Sequence, residues 1–162
     1  MGYALRSSQV NEIHAVQFGM ALQLMRNVGR ANLSMGALHA FLWPAIKLKQ
    51  IEFIYANHGG LPVAYIMWAY LTDDVVQEFV NGSDRILDIS EWNEGDNLWI
   101  MDVAATPGAL RPILYRVFSD RLSHVERVQG LRQPTKKRRK SFMDVKFRAG
   151  RFSRSFAKYT AR

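Results

Sequence analysis

The run LWIMDVAA, Leu98 to Ala105, constrains this chain more than any other stretch. Apolar residues on both strand phases describe a strand covered on both faces, so packed layers must lie above and below it. Asp102 interrupts that pattern with one charge. A carboxylate loses several kcal/mol on leaving water unless it is paired or hydrogen-bonded. The fold must therefore bring Asp102 a partner. Two arginines of the following helix, Arg111 and Arg116, are near enough in sequence to serve as a purely structural pair.

The rest of the chain supplies the layers. Ile13, Val16, Met20, Leu24 and Val28 recur three or four apart with polar residues between them, which predicts an amphipathic helix over 9–28. Ser34 is placed to cap a second helix through Trp43, and Pro44 should end it. Ile51–Ala56 and Leu61–Leu71 read as two strands joined by the hairpin turn NHGG, Asn57–Gly60. Thr72 should cap a short helix to Val80, with Asp73 and Asp74 in its first turn. After the Asp102 strand, Thr106-Pro107-Gly108 leads into a helix over Ala109–Leu122, then strands near Ser123–Gln129 and Ser141–Phe147. No internal repeat is present. This order predicts an α+β domain with a mixed sheet flanked by helices, the order of the acetyltransferase-like (GNAT-like) fold.

With 162 residues and 48% apolar composition, the chain is one domain's worth, and folding would bury roughly two-thirds of its unfolded surface. No apolar run approaches the about 20 residues of a membrane span. The N-terminal segment lacks the basic-then-apolar design of a signal peptide, so the cytoplasm is the expected compartment. Zero cysteines exclude a disulfide framework, a thiolate metal site and a cysteine nucleophile. The four histidines show no metal-ligand spacing with carboxylates. Net charge is +8, and twelve Lys or Arg fall between Arg132 and Arg162 against one acid, Asp144. Residues 1–130 read as the main domain, and 131–162 as a basic strand and tail, part of it or appended to it. That basic end, with KKRRK at Lys136–Lys140 and interleaved Phe142, Phe147, Phe152 and Phe156, calls for an acidic partner.

Two blocks carry a family resemblance. Pro44-Ala45-Ile46, Pro62-Val63-Ala64-Tyr65 and Trp68-Ala69 form the first; Trp92, Gly95-Asp96, Trp99 and Asp102 form the second. Together they resemble the RTX toxin-activating lysine acyltransferases, the hemolysin-activating C-protein family, over about residues 20–130. The resemblance implies an acetyltransferase-like fold, dimerisation, and transfer of a fatty acyl group from acyl carrier protein to internal lysines of a protein acceptor. The donor would be a phosphopantetheine thioester acting as substrate, with no tightly bound cofactor. It further implies two site residues, an Asp matched by Asp102 and a His near the start of the second helix. Ala37-Leu38-His39 is the similar triplet here, at the expense of a shortened interval to Pro44, whereas an ungapped alignment puts Arg30 at that position.

The chemistry suits the family. An acceptor lysine, with an ordinary pKa near about 10.4, arrives protonated and needs a base. A His oriented by a carboxylate is such a base, and Arg is not. The thioester oxygen needs donors, such as a backbone N–H where strand pairing is broken. Gly108 marks the turn where a pantetheine phosphate would sit. Against this stands a second reading from another class: an acetyltransferase-like domain without catalysis, a structural or binding component of a phage particle or nucleic-acid assembly held through residues 132–162.

Overall fold

The computed structural model describes residues 9–29, 34–56, 60–132 and 141–146. Arg30, the Asn57–Gly59 part of the NHGG turn, the KKRRK run and the tail beyond Lys146 lie outside the described residues.

Five strands form one mixed sheet in the order β1 (Ile51–Tyr55), β2 (Pro62–Leu71), β3 (Asn97–Ala105), β4 (Arg127–Arg132), β5 (Ser141–Lys146). All pairings are antiparallel except β3 with β4, which run parallel and require a crossover connection. The α+β mixed sheet flanked by helices is thus as expected. One face packs against α1 (Gln9–Asn27), α2 (Met35–Lys47) and α3 (Asp73–Val80); the other packs against α4 (Leu110–Arg116). β3 is therefore covered on both sides, with Trp99 in the first apolar cluster and Leu98 and Ile100 in the second. Trp68, Trp92 and Trp99 are all core residues. No helix among the described residues is long and apolar enough to cross a membrane.

Several local expectations shift. In α1 the buried stripe is Ala21, Leu24 and Met25, while Ile13 and Val16 stay exposed, because mainly the C-terminal half of the helix lies on the core. Ser34 caps α2 as expected, accepting from the Ala37 N–H at 3.2 Å. Pro44, however, does not end α2; it lies inside it. Proline costs the helix one N–H donor and crowds the preceding turn. Burial of Ala45 and Ile46 offsets that cost, and the Leu48 and Gln50 N–H groups close the end onto the Pro44 and Ala45 carbonyls. Thr72 caps α3, accepting from the Val75 N–H at 3.5 Å.

The helix expected over Ala109–Leu122 has two parts. After α4, a π-helical turn covers Val117–Arg121, and the Leu122 N–H bonds the Val117 carbonyl at 2.9 Å. The wider turn lets both Val117 and Leu122 bury. β4 begins four residues later than expected, since Leu122–Val125 close a turn first. Gly95 seats the β3 entry: a Cβ there would collide with the Leu71 backbone and the Thr72 nitrogen. Only glycine allows that approach.

Candidate active site

Register decides where Asp102 points. Along β2 and β3, Trp99 pairs with Ala69 and Ile100 with Trp68, but Asp102 pairs with Met67. Met101 is thus an extra residue, a β-bulge on β3. Side chains alternate along a strand, so a one-residue slip moves everything after it to the opposite face. Without the bulge Asp102 would share the face of Ile100, toward α4. With it, Asp102 shares the face of Met67 and Tyr65, toward α1 and α2.

On that face Asp102 meets a hydrogen-bond donor. The phenol of Tyr65 donates to Asp102 Oδ2 at 2.6 Å. The distance is that of a charge-assisted O–H···O⁻ bond, about twice as strong as a neutral one. Tyr65 is fully buried, and Phe53 packs edge-on to its ring at 6.1 Å, so the hydroxyl is held in place. Asp102 itself is half-buried. Arg116 of α4 and Arg121 of the π-helical turn lie on the other side of the sheet, approaching Glu52 of β1 at 3.5 Å and 3.9 Å. The Arg116 pairing considered for Asp102 is thus made by Glu52.

Tyr65 belongs to the Pro62–Tyr65 block but carried no role in the sequence reading. The signal was available: a tyrosine hydroxyl inside an apolar strand needs a partner, as does the lone carboxylate of β3.

His39 has other neighbours. Leu38, Leu42, Ala45 and Ile46 turn toward the sheet, whereas His39 is exposed. Its ring stacks on Trp43 at 5.3 Å and meets Phe18 of α1 at 6.0 Å. Trp43 also takes the edge of buried His14 at 5.9 Å and the Lys47 ammonium at 5.5 Å. Among the described residues no hydrogen bond or ion pair joins His39 to Asp102.

Gly108 is exposed with φ +87, a conformation that favours glycine. The turn is anchored next to it. Thr106 donates through its N–H and its hydroxyl to the Val63 carbonyl, at 2.9 and 3.1 Å, and the Ala109 N–H bonds the Thr106 carbonyl at 3.0 Å. No group of three or more His, Asp or Glu among the described residues is arranged to hold a metal ion.

Beside this geometry stand the comparisons with known proteins. The family model described as HlyC, RTX toxin acyltransferase family, matches residues 8–145. The chain belongs to the RTX toxin acyltransferase family. Among its relatives is the RTX-II toxin-activating lysine-acyltransferase ApxIIC of Actinobacillus pleuropneumoniae, 32% identical over 93 residues, 57% of this chain and 56% of that protein. Lysine-acyltransferase RtxC of Vibrio cholerae is 28% identical over 71 residues, covering 44% and 45% of the two chains. An uncharacterised protein of Synechocystis is 27% identical over 75 residues, 46% of this chain and 50% of that one. The chain spans about half the length of the curated relatives it matches. The family match includes both sequence blocks, from Pro44 through Asp102.

Proposed function

We propose that the protein is a lysine N-acyltransferase that moves a fatty acyl group from acyl carrier protein to an internal lysine of a protein acceptor. The observation that carries this reading is the bulge at Met101, which turns Asp102 onto the Tyr65 face in a chain of this family. The acceptor amine attacks the thioester carbonyl carbon, the C–S bond breaks, and the pantetheine thiol leaves. The proton lost by the lysine goes to a base.

In this proposal Asp102 orients and charge-stabilises that base, with Tyr65 fixing the carboxylate. His39 is the candidate base. It would have to reach Asp102 in the substrate complex, since catalytic hydrogen bonds often tighten only there. The bulge also interrupts β2–β3 pairing beside Asp102, so backbone donors for the thioester oxygen belong at Met101. The acetyltransferase-like arrangement is part of the same proposal. β3 and β4 run parallel, α4 lies between them in sequence, and the β3–β4 register spans Trp99–Ile100 while β3 continues to Ala105. The pantetheine arm would lie along that later part of β3, with its phosphate at the Gly108 turn.

Mass spectrometry of an acceptor protein incubated with acyl carrier protein thioesters tests the function. A mass gain of one acyl group on a lysine is expected, and none across several chain lengths overturns it. Running His39→Ala in the same assay assigns the base. Loss of transfer with retained folding supports His39, and unchanged transfer removes it from the mechanism.

A further inference from the structure

The charges of this molecule are sorted by position. Eight of its fourteen acidic residues lie between Asp73 and Asp96, against a single base, Arg85. That stretch covers α3 and the segment leading into β3, at the end of the sheet where β3 starts. The opposite bias appears on the outer face of the helical segment that follows β3. Arg111, Arg116 and Arg121 are all exposed there, with Asp120 as the one acid of the segment. Lys49 adjoins them, its carbonyl accepting from Arg121 Nη2 at 3.3 Å.

These cations are not consumed by internal pairing. Arg116 and Arg121 share the single carboxylate of Glu52, both beyond hydrogen-bonding distance, and their side chains stay 55% and 50% exposed. Arg111 makes no ion pair among the described residues. Alongside them Tyr115 is 69% exposed and Leu110 49% exposed. Arginine and tyrosine beside an exposed aliphatic is the composition of a protein-binding patch, in which a few such residues carry most of the energy. The patch begins at Leu110, two residues after Gly108 in the turn that follows β3.

We infer that the outer face of α4 and its π-helical turn is the docking surface for the acidic acyl carrier protein. This rests on the acyl-transfer reading and assigns the donor its place. A carrier seated there would deliver its prosthetic arm past Gly108 toward Asp102, and the acidic 73–96 stretch would repel it from the other end of the sheet. A nucleic acid fits less well. Glu52 and Asp120 sit among the cations, leaving a balance of two positive charges with apolar neighbours, whereas a phosphate backbone needs uninterrupted positive charge.

The test is a titration of the full-length protein with purified acyl carrier protein at two salt concentrations, read by calorimetry or anisotropy. Arg111→Glu and Tyr115→Ala should each weaken binding about fivefold or more, and Arg111→Glu should flatten the salt dependence. Arg26→Glu on α1 changes total charge equally at a distant exposed site and should shift binding less than about twofold. Changing an acidic residue of the carrier to Lys should recover part of the Arg111→Glu loss. Circular dichroism of each variant verifies folding, and Arg111→Gln gives a milder change if Arg111→Glu does not fold. The inference falls if Arg111→Glu and Arg26→Glu behave alike, if no carrier binding is measurable, or if the Arg111 variants weaken binding of the acceptor or of DNA instead. Acyl transfer by the unsubstituted protein is scored separately. Transfer without sensitivity at α4 discards the docking surface alone, whereas carrier binding at α4 without transfer discards the enzymatic reading alone.

Discussion

Leu98, Trp99 and Ile100 are buried, whereas Met101, Asp102 and Val103, the next three residues of the same strand, are half-buried. The first three pair with β2 on one side, and Trp99 and Ile100 also pair with β4 on the other. The second three begin with a bulge and carry the strand's one charge. The first half of β3 is built like a core, packed and regular. The second half resumes pairing with β2 after one bulged residue, and that single irregularity aims the carboxylate, a use bulges commonly serve near functional sites. Regular pairing with β2 on both sides of Met101 fixes the strand to either side of the bulge and so the direction of Asp102.

The sharpest way to separate the halves is to change each alone. Asp102→Asn keeps the shape and an acceptor for the Tyr65 hydroxyl, so the fold should stay within about 1 kcal/mol of the original. Acyl transfer should fall by about a hundredfold or more, the scale of an oriented acid–base group. Single-turnover assays and urea melts on the same preparation would check this, and transfer near the original rate would place Asp102 outside the mechanism. Gly95→Ala should do the reverse. The new methyl meets the backbone of Leu71 and Thr72, which cannot yield as a flexible side chain would. We expect a loss of about 3 kcal/mol in a urea melt, with activity lost only in proportion to unfolded protein.

A smaller change tests the link between them. Tyr65→Phe removes the hydroxyl that holds Asp102 and should cost about 1–2 kcal/mol of stability. Its useful readout is the pH–rate profile. A positioning role predicts a shifted profile and a lower kcat at unchanged KM, while a packing role predicts neither.

The smallest effect lies in the acidic segment ahead of β3. Arg85 holds Glu91 and Glu78, and the Glu91 carboxylate also accepts from the Asp88 N–H. Its hydrogen bonds to Arg85 hold Glu91 below the usual carboxylate range. A carboxylate with a depressed folded pKa contributes stability above its unfolded pKa of about 4.3 and loses it as pH falls through its folded value. Melting temperatures at pH 7 and at about pH 3 should therefore differ more for the original chain than for Arg85→Gln. The difference is modest, because solvent screens an exposed pair. An equal drop in both chains would mean the clip adds nothing to stability.

Much of this architecture was readable from local chemistry. Helix and strand periods, the Ser34 and Thr72 caps and the doubly apolar β3 are determined by residues a few positions apart, so they survive in the sequence. The two sequence blocks likewise sufficed to name the family. Other features are decided by contacts between distant residues. Pro44 stays helical because Ala45 and Ile46 have a core to enter, and the π-helical turn exists because Val117 and Leu122 both do. Asp102 is the clearest case. Its chain position predicted only that it needed a partner, and the following arginines were the near ones. The tertiary structure chose Tyr65 instead, thirty-seven residues away, by inserting Met101 into the register. Strand periodicity has only two phases, so an extra residue that costs one irregular pairing reverses which layer every later side chain meets, and no local pattern records that choice.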